Sequence, residues 1–156
     1  MNGNKTLKLK IVTPERLVLE DTVTQVTLPT TEGEITILPG HVPLISSLGT
    51  GEIIAKHDAA HSDENESPVA VSGGFVEIKQ LGGGLSEVII LANTAEHVSQ
   101  IDIDRAKNRA AELMKMKDAD HVDFEHFEAE LERSLNRVKI ADKWKGKKYK
   151  KLPFHI

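Results

Sequence analysis

The sequence predicts an α+β fold in which an N-terminal β-sandwich of about eight to ten short strands precedes a C-terminal antiparallel two-helix hairpin. Over residues 1–98, short apolar segments alternate with turn residues at the spacing typical of an all-β sandwich or a flattened barrel. Near residue 100 the hydrophobic period changes from two residues to about three and a half, which indicates amphipathic helices. We therefore expect a sandwich domain at 1–98, a helical hairpin at 99–142 and a basic tail at 143–156.

The first strand candidate, residues 7–12, alternates apolar and basic side chains, as a half-buried strand does. The remaining strand candidates are residues 16–20, 23–28, 34–38, 51–56, 69–72, 75–79 and 87–91. Turn residues separate these segments, among them Pro39-Gly40, Gly73-Gly74 and the three glycines at 82–84. The polar, acidic segment 57–68 interrupts the pattern, and we expect a solvated loop there that is longer than its neighbours.

The first helix candidate covers residues 102–117. Its apolar face consists of Ile103, Ala106, Ala110, Leu113 and Met114. Asp102 is a suitable N-cap, because its carboxylate can accept hydrogen bonds from the free amides of the first turn.

The second helix candidate runs from about residue 123 to about residue 141. Its apolar stripe consists of Phe124, Phe127, Leu131, Leu135 and Val138. The polar break between the helices, 118–121, is short, which favours an antiparallel hairpin. Because both stripes are narrow, we expect the hairpin to be only marginally stable alone and to move or to dock elsewhere.

Composition restricts the class of protein. Hydrophobic residues make up 39% and charged residues 28%, a balance typical of globular chains rather than disordered ones. The absence of cysteine excludes disulfides and thiolate metal sites and fits a reducing compartment. No signal-peptide-like segment and no apolar run of membrane-spanning length is present, so we expect neither a secreted nor a membrane-spanning protein. The net charge of −4 does not indicate nucleic-acid binding.

Signatures of catalysis are absent from the sequence. It contains neither a phosphate-binding Gly-x-x-x-x-Gly-Lys-Ser/Thr loop nor a Gly-x-Ser-x-Gly nucleophile elbow. His57 and His61 would align for a metal, with Asp63 or Glu64, only on a helix, and this segment is not a helix candidate. We therefore predict no catalytic residue, no metal site and no required cofactor.

Three stretches of sequence, in order, carry a family resemblance. They are residues 32–44 (EGEITILPGHVPL), 71–78 (VSGGFVEI) and 88–96 (VIILANTAE), the last leading into 101–106 (IDIDRA). With these stretches the chain resembles the epsilon subunit of F-type ATP synthase from about residue 7 to about residue 141. The first stretch is the most specific, because Gly-Glu followed by Leu-Pro-Gly-His-x-Pro-Leu is not a generic turn.

The resemblance implies a non-catalytic rotor subunit of a proton-translocating ATP synthase, peripheral on the cytoplasmic face of the bacterial energy-coupling membrane. The family's sandwich binds the gamma subunit and rests on the c-ring. Its hairpin either folds on the sandwich or extends toward the alpha and beta subunits, where it restrains ATP hydrolysis. By this resemblance Glu34 contacts the c-ring, while Thr13 and His41 lie near gamma and the ring. The alternative is that Glu34 is merely solvated and His41 shapes a loop. Thr36 departs from the family's usual glycine.

The same resemblance implies a regulatory ATP site on the folded hairpin. The matching residues are Glu96, Ile101, Asp102, Arg105, Ala106, Arg133 and Arg137. Arg133 and Arg137 share a helix face because they are four residues apart, a spacing suited to clamping phosphates. The alternatives are that Asp102 only caps its helix, that Arg105 is solvated, and that Arg133 pairs with Glu130 or Glu132.

The tail 143–151 carries six lysines with interleaved aromatic residues and extends past the usual end of the family. It could bind RNA or a lipid surface, extend a contact with the beta subunit, or be a disordered solubilising end. The rival function is a free-standing β-sandwich module that senses ATP or another ligand. A small hydrolase would need a catalytic constellation that the sequence does not contain.

Overall fold

The computed structural model describes residues 5–57, 65–116 and 124–150. Eight strands precede two helices in the described chain, which confirms the predicted sandwich followed by helices. The strands are β1 (Leu7–Val12), β2 (Leu17–Val23), β3 (Gln25–Thr30), β4 (Gly33–Ile37), β5 (Leu44–Ser47), β6 (Thr50–Lys56), β7 (Glu66–Gly82) and β8 (Leu85–His97). A 3₁₀ turn (Val98–Gln100) connects them to helices α1 (Ile103–Met116) and α2 (Phe124–Trp144).

The strands pair in the order β2-β1-β8-β7-β6-β3-β4, and β5 pairs with β7 outside this path. All pairs are antiparallel except β1 with β8. Strand β1 shows the predicted alternation, since Leu7, Leu9 and Ile11 are buried and the residues between them are not. Side chains from seven strands meet in one core of Leu, Ile, Val and Ala. Burial of this apolar surface provides the main stabilisation of the sandwich.

Strand β7 differs from the prediction. Residues 69–72 and 75–79 were expected to be separate strands joined by a turn at Gly73-Gly74, and this is wrong, because one strand runs from Glu66 to Gly82. Both glycines have positive φ, so they bend the strand without reversing it. Before the bend β7 pairs with β6, and after it with β5, which the sequence did not predict. Along both halves it pairs with β8.

The turn at the three glycines 82–84 is confirmed as the β7–β8 connection. The predicted 57–68 loop is too long at its C-terminal end, because β7 already begins at Glu66. There Glu66 pairs with Lys56 of β6, with 3.6 Å between the amine and the carboxylate. The expectations for His61, Asp63, Glu64 and the polar break 118–121 lie outside the described residues.

The helices pack on the sandwich and on each other. Asp102 caps α1, since its Oδ1 accepts a hydrogen bond of 3.0 Å from the Arg105 amide. The buried face of α1 is Ala106, Ala110 and Leu113, whereas Met114 was wrongly assigned to it and is exposed. One residue further along a helix is a rotation of about 100°, which turns Met114 out of the contact.

Helix α2 ends at Trp144, three residues beyond its predicted end at 141. Phe127 is buried as predicted, Leu131 and Val138 are half-buried, and Leu135 is exposed, which corrects its assignment to the stripe. A second apolar cluster joins the two parts of the chain. It consists of Ala70, Val98, Ile101, Ile140, Ala141 and Trp144. Across the described ranges, neither α1 nor α2 has the length and apolar character of a membrane-spanning helix.

The bend in β7 makes a prediction about stability. A Cβ at Gly74 would lie 2.0 Å from the backbone oxygen of Leu91, and the glycine φ is +121°. Gly74→Ala should therefore destabilise the protein by roughly 2–4 kcal/mol, measured by urea unfolding. Gly83→Ala is the matched control, because it has positive φ but no atom within 4 Å of its Cβ position. It should cost only about 1–2 kcal/mol. Equal losses in the two variants would contradict the proposed close approach.

Candidate ligand site between the sandwich and the hairpin

Helix α2 lies on the sandwich through polar contacts. The Asn136 side-chain amide donates to the carbonyl oxygens of Gly51 (3.1 Å) and Val71 (3.4 Å), which are paired residues of β6 and β7. One turn of helix is therefore fixed over the middle of the sheet. The guanidinium of Arg137 binds Glu96 at the end of β8 through two hydrogen bonds, of 2.8 and 3.2 Å. This bidentate geometry orients both side chains.

A cavity of about 440 Å³ lies beside this contact. The β1–β2 turn, residues 70–72 in the first half of β7, residues 93–96 at the end of β8, Arg109 of α1, and α2 form its walls. A wider cleft of about 970 Å³ adjoins it along α1. Both are lined by Glu96, Arg109 and Arg137, so the two form one continuous depression across the seam between sandwich and hairpin. A volume of this order suits a small organic ligand.

The charged residues of the cavity divide into paired and unpaired groups. Arg137 is neutralised by Glu96, and Arg109 donates to Glu130 (2.8 Å) and to Glu112 (3.1 Å). The guanidinium of Arg133 makes no hydrogen bond or ion pair within residues 5–57, 65–116 and 124–150. Of the two alternative partners, Glu130 binds Arg109 instead, and Glu132 makes no ion pair with Arg133 in the described ranges. The depression therefore presents a cation that is not locally compensated, which favours an anionic ligand.

The structure divides the residues of the predicted ATP site into three groups. Glu96, Arg133 and Arg137 line the cavity, and Asp102 and Arg105 line the adjoining cleft. Ile101 and Ala106 are buried and line neither. The predicted capping role of Asp102 is confirmed, and it occupies one carboxylate oxygen. No group of three acidic or histidine residues in the described ranges is arranged to hold a metal ion.

The three predicted partner-contact residues do not lie together around this site. Thr13 lines the cavity, where its hydroxyl group closes the β1–β2 turn. Glu34 is exposed on β4, and half-buried His41 hydrogen-bonds the neighbouring Val42 carbonyl at 2.8 Å. Thr36, the departure from the family pattern, pairs with Thr27 across β3 and β4 through a hydroxyl contact of 2.9 Å.

The described part of the basic tail docks on the sandwich. Trp144 is 4% exposed, and its indole N–H and the Lys143 amine both bind the Glu52 carboxylate of β6. Tyr149 makes edge-on contacts with the rings of Trp144 and His97. The interpretation of the tail as a disordered end is therefore wrong as far as Lys150.

The backbone of Lys150 joins the tail to the first residues of β7. Its N–H donates to the Glu66 carbonyl at 2.8 Å, and its own carbonyl accepts from the Ser67 hydroxyl at 3.3 Å. The Nε2 atom of His97 lies 3.2 Å from the same carbonyl. Since the Nδ1 atom of His97 accepts from the Ser99 amide at 3.1 Å, the neutral ring carries its proton on Nε2 and donates to the tail.

Burial lowers the pKa of His97 to about 4, because a charged imidazole would lose its hydration here. The nearby His57, 2.7 Å from the Ser67 hydroxyl, also has a lowered pKa. Burial and the Lys150 charge lower it, and Asp21 opposes them. The Nδ1 atom of His57 is 3.1 Å from an Asp21 oxygen without the alignment of a hydrogen bond. Burial therefore favours the neutral form of both imidazoles under the tail.

Sequence reasoning missed several parts of this region. It did not identify Arg16 or Arg109 as lining residues, and it left His97 without a role. The sequence shows only that Arg109 lies three residues before Glu112. This spacing is common for ion pairs on exposed helix faces, so it does not distinguish a ligand site. No local signal distinguishes Arg16.

Comparisons with known proteins agree with this architecture. Residues 6–98 match the family described as ATP synthase, Delta/Epsilon chain, beta-sandwich domain. The ATP synthase epsilon chain of Desulforamulus reducens is 37% identical over 141 residues, covering 88% of this chain and 98% of that one. That of Bacillus mycoides is 39% identical with the same coverage. A chain of the Euglena gracilis mitochondrial ATP synthase has a similar fold, with a TM-score of 0.67 at 19% identity, covering 91% of this chain and 84% of that one.

The buried histidines make docking of the tail dependent on pH. His97 is neutral when docked and has a pKa near 6.5 when released, so the released state binds more protons as the pH falls. The contribution of neutral His97 to tail docking is therefore fully present above about pH 6.5 and is lost progressively as the pH falls toward 4. We expect the fluorescence of Trp144, the only tryptophan, to report this loss in urea titrations between pH 7 and pH 4. His97→Gln should flatten the dependence, and His41→Gln controls for removal of one imidazole. An unchanged slope in His97→Gln would contradict this assignment.

Proposed function

The chain belongs to the ATP synthase epsilon chain family, and we propose that it is a central-stalk rotor subunit that couples the gamma subunit to the c-ring and restrains ATP hydrolysis. The observation that carries the proposal is the match to curated epsilon chains, which spans 98% of their length and so includes sandwich and hairpin together. The subunit itself is non-catalytic, as in the rest of the family. Its place is peripheral, on the cytoplasmic face of a bacterial energy-coupling membrane, held there through the proton-translocating complex.

The sandwich carries an apolar surface suited to the gamma subunit. Ile45, Phe75 and Leu91 are 73%, 58% and 55% exposed. They lie on the outer face of the adjacent strands β5, β7 and β8, with Phe75 directly paired with Leu91. Exposed large side chains in one patch are typical of a protein contact. We assign this patch to gamma, and the exposed carboxylate of Glu34, with His41, to the c-ring.

The hairpin is suited to act as a regulatory arm because its contacts with the sandwich are limited and largely polar. Among the described residues, the second apolar cluster has six buried members, compared with nineteen in the sandwich core. Hydrogen bonds and ion pairs at Asn136, Arg137 and Lys143 provide much of the remaining contact. Water replaces such bonds at small net cost when the helices leave. The folded arrangement is then one of two states, and in the other the helices reach the alpha and beta subunits.

ATP is the regulatory ligand that we propose for the depression between sandwich and hairpin. Arg133 offers an uncompensated guanidinium to a phosphate, and Arg137 can exchange Glu96 for a second phosphate oxygen. Arg105 and Asp102 line the adjoining cleft, to which we assign the rest of the nucleotide. Because the lining residues come from both parts of the chain, a ligand bound here stabilises the folded hairpin over the extended one.

Removal of the hairpin tests the two halves of this proposal separately. An assembled enzyme whose subunit ends after residue 100 should keep the subunit bound to gamma, because the sandwich is intact. It should hydrolyse ATP several-fold faster than the full-length complex at low proton-motive force. The measurements are co-purification with gamma and steady-state ATPase activity. Unchanged hydrolysis would contradict the inhibitory role, whereas loss of gamma from the preparation would contradict the stalk role.

Titration of the isolated chain with ATP tests the ligand. Arg133→Ala should weaken binding roughly tenfold or more, because a charge-assisted hydrogen bond to phosphate contributes about 1.5–3 kcal/mol. Lys139→Ala is the matched control, since it removes one positive charge from an exposed position on the same helix outside the cavity. Isothermal titration calorimetry gives both affinities. Equal weakening in the two variants would indicate a general charge effect and would contradict a specific phosphate contact.

A further inference from the structure

Arg16 extends from the sandwich into the cavity from a fixed position. Arg16 is the last residue of the β1–β2 turn, and three hydrogen bonds between Thr13 and Arg16 close this turn. The Thr13 amide donates to the Arg16 carbonyl at 2.9 Å, the Thr13 hydroxyl donates to the same carbonyl at 3.2 Å, and the Arg16 amide donates to that hydroxyl at 3.2 Å. These bonds fix the backbone at the base of the arginine side chain, so its direction of approach is set by the turn.

The guanidinium of Arg16 has a neutral partner. Its Nη2 atom donates to the side-chain carbonyl of Gln100 at 3.2 Å, in the short connection between sandwich and hairpin. No carboxylate of the described residues forms an ion pair with it. Arg109 and Arg137, in contrast, are both neutralised by glutamates. Arg16 and Arg133 are thus the two arginines of the cavity whose charge is not compensated within the described chain.

The balance of charge around the cavity favours an anion. Once the Arg109–Glu130 and Arg137–Glu96 pairs are set aside, the charged lining groups that remain are Glu15, Arg16 and Arg133. In the cavity their sum is one positive charge, and Glu15 opposes the two arginines. The adjoining cleft adds Asp102, Asp104, Glu112 and Arg105, so an anion is favoured on the cavity side of the depression. Arg16 comes from the sandwich and Arg133 from α2, so an anion between them would contact both parts of the protein.

We propose that Arg16 is a further phosphate-binding residue of the nucleotide site, acting from the sandwich opposite Arg133. The inference rests on the proposed binding of ATP and adds to it the residue that joins the ligand to the sandwich. Release of the hairpin would separate the two arginines, because only one of them moves with α2. The polyphosphate then holds the hairpin in place by bridging charges that otherwise repel each other.

The test is titration of the full-length chain with ATP, compared among variants. Arg16→Ala should weaken ATP binding about tenfold or more, and Arg16→Lys should restore part of the affinity, because the charge returns without the planar donor geometry. Lys8→Ala controls for net charge from an exposed position on β1 outside the cavity. Glu15→Gln should tighten binding, because it removes the opposing charge. Since Arg16 and Glu15 are exposed, these variants should fold, which thermal unfolding checks.

Adenosine and tripolyphosphate separate a phosphate contact from a structural effect. Adenosine binding should be the same in wild type and Arg16→Ala, and tripolyphosphate binding should weaken as ATP binding does. If wild type binds ATP and Arg16→Ala binds it equally well, the inference is overturned while the proposed ATP site stands. If wild type does not bind ATP, the proposed ATP site is contradicted. The role of Arg16 is then tested by comparing tripolyphosphate binding in wild type and Arg16→Ala. Arg16-dependent binding of tripolyphosphate supports an anion contact, and its absence overturns it.

Discussion

The approach of β7 to β8 at Gly74 leaves no room for a side chain, and much of the molecule depends on this contact. Because the strand bends there without ending, its first half pairs with β6 and its second half with β5. The bend thereby lets strands on both sides of it contribute to one core. It also places the two halves of β7 in different surroundings. Ala70 and Val71 lie under α2, whereas Phe75 faces away from the core, on the surface that we assign to gamma.

The hairpin is attached by contacts that differ from those of the core. In the sandwich, stability comes from buried aliphatic side chains, whose loss of contact costs about 25 cal/mol for each Å² exposed. Between sandwich and hairpin, a small apolar cluster is surrounded by ion pairs and side-chain hydrogen bonds that water can replace. The strength of attachment is therefore within the range that a bound ligand, a partner or a change of pH can offset.

The tail adds a second point of attachment, and it does so with groups that titrate. His97 donates from Nε2 to the Lys150 carbonyl, while its Nδ1 atom accepts from the Ser99 amide. Protonation removes that acceptor and places a charge in a buried site. The tail and the ligand cavity contact the two ends of the same connection, Val98–Gln100, since His97 precedes it and Gln100 binds Arg16. Protonation of His97 and binding of a ligand in the cavity therefore both act on this connection, about which the helices would move.

Local signals in the sequence determined the elements and the family. Alternation in residues 7–12 identified β1, the change of period near residue 100 separated sandwich from helices, and Asp102 marked the start of α1, because each signal involves neighbours within about four positions. The motifs at 32–44, 71–78 and 88–96 identified the family in the same way. Only the tertiary structure decided whether Gly73-Gly74 bends or reverses the chain, since positive φ allows both and the hydrogen bonds of β8 select one. It also turned Met114 and Leu135 outward and buried Trp144. The cavity brings together Arg16 and Arg133, which are far apart in sequence, and their meeting depends on how α2 lies on the sheet, a property that no short stretch of sequence encodes.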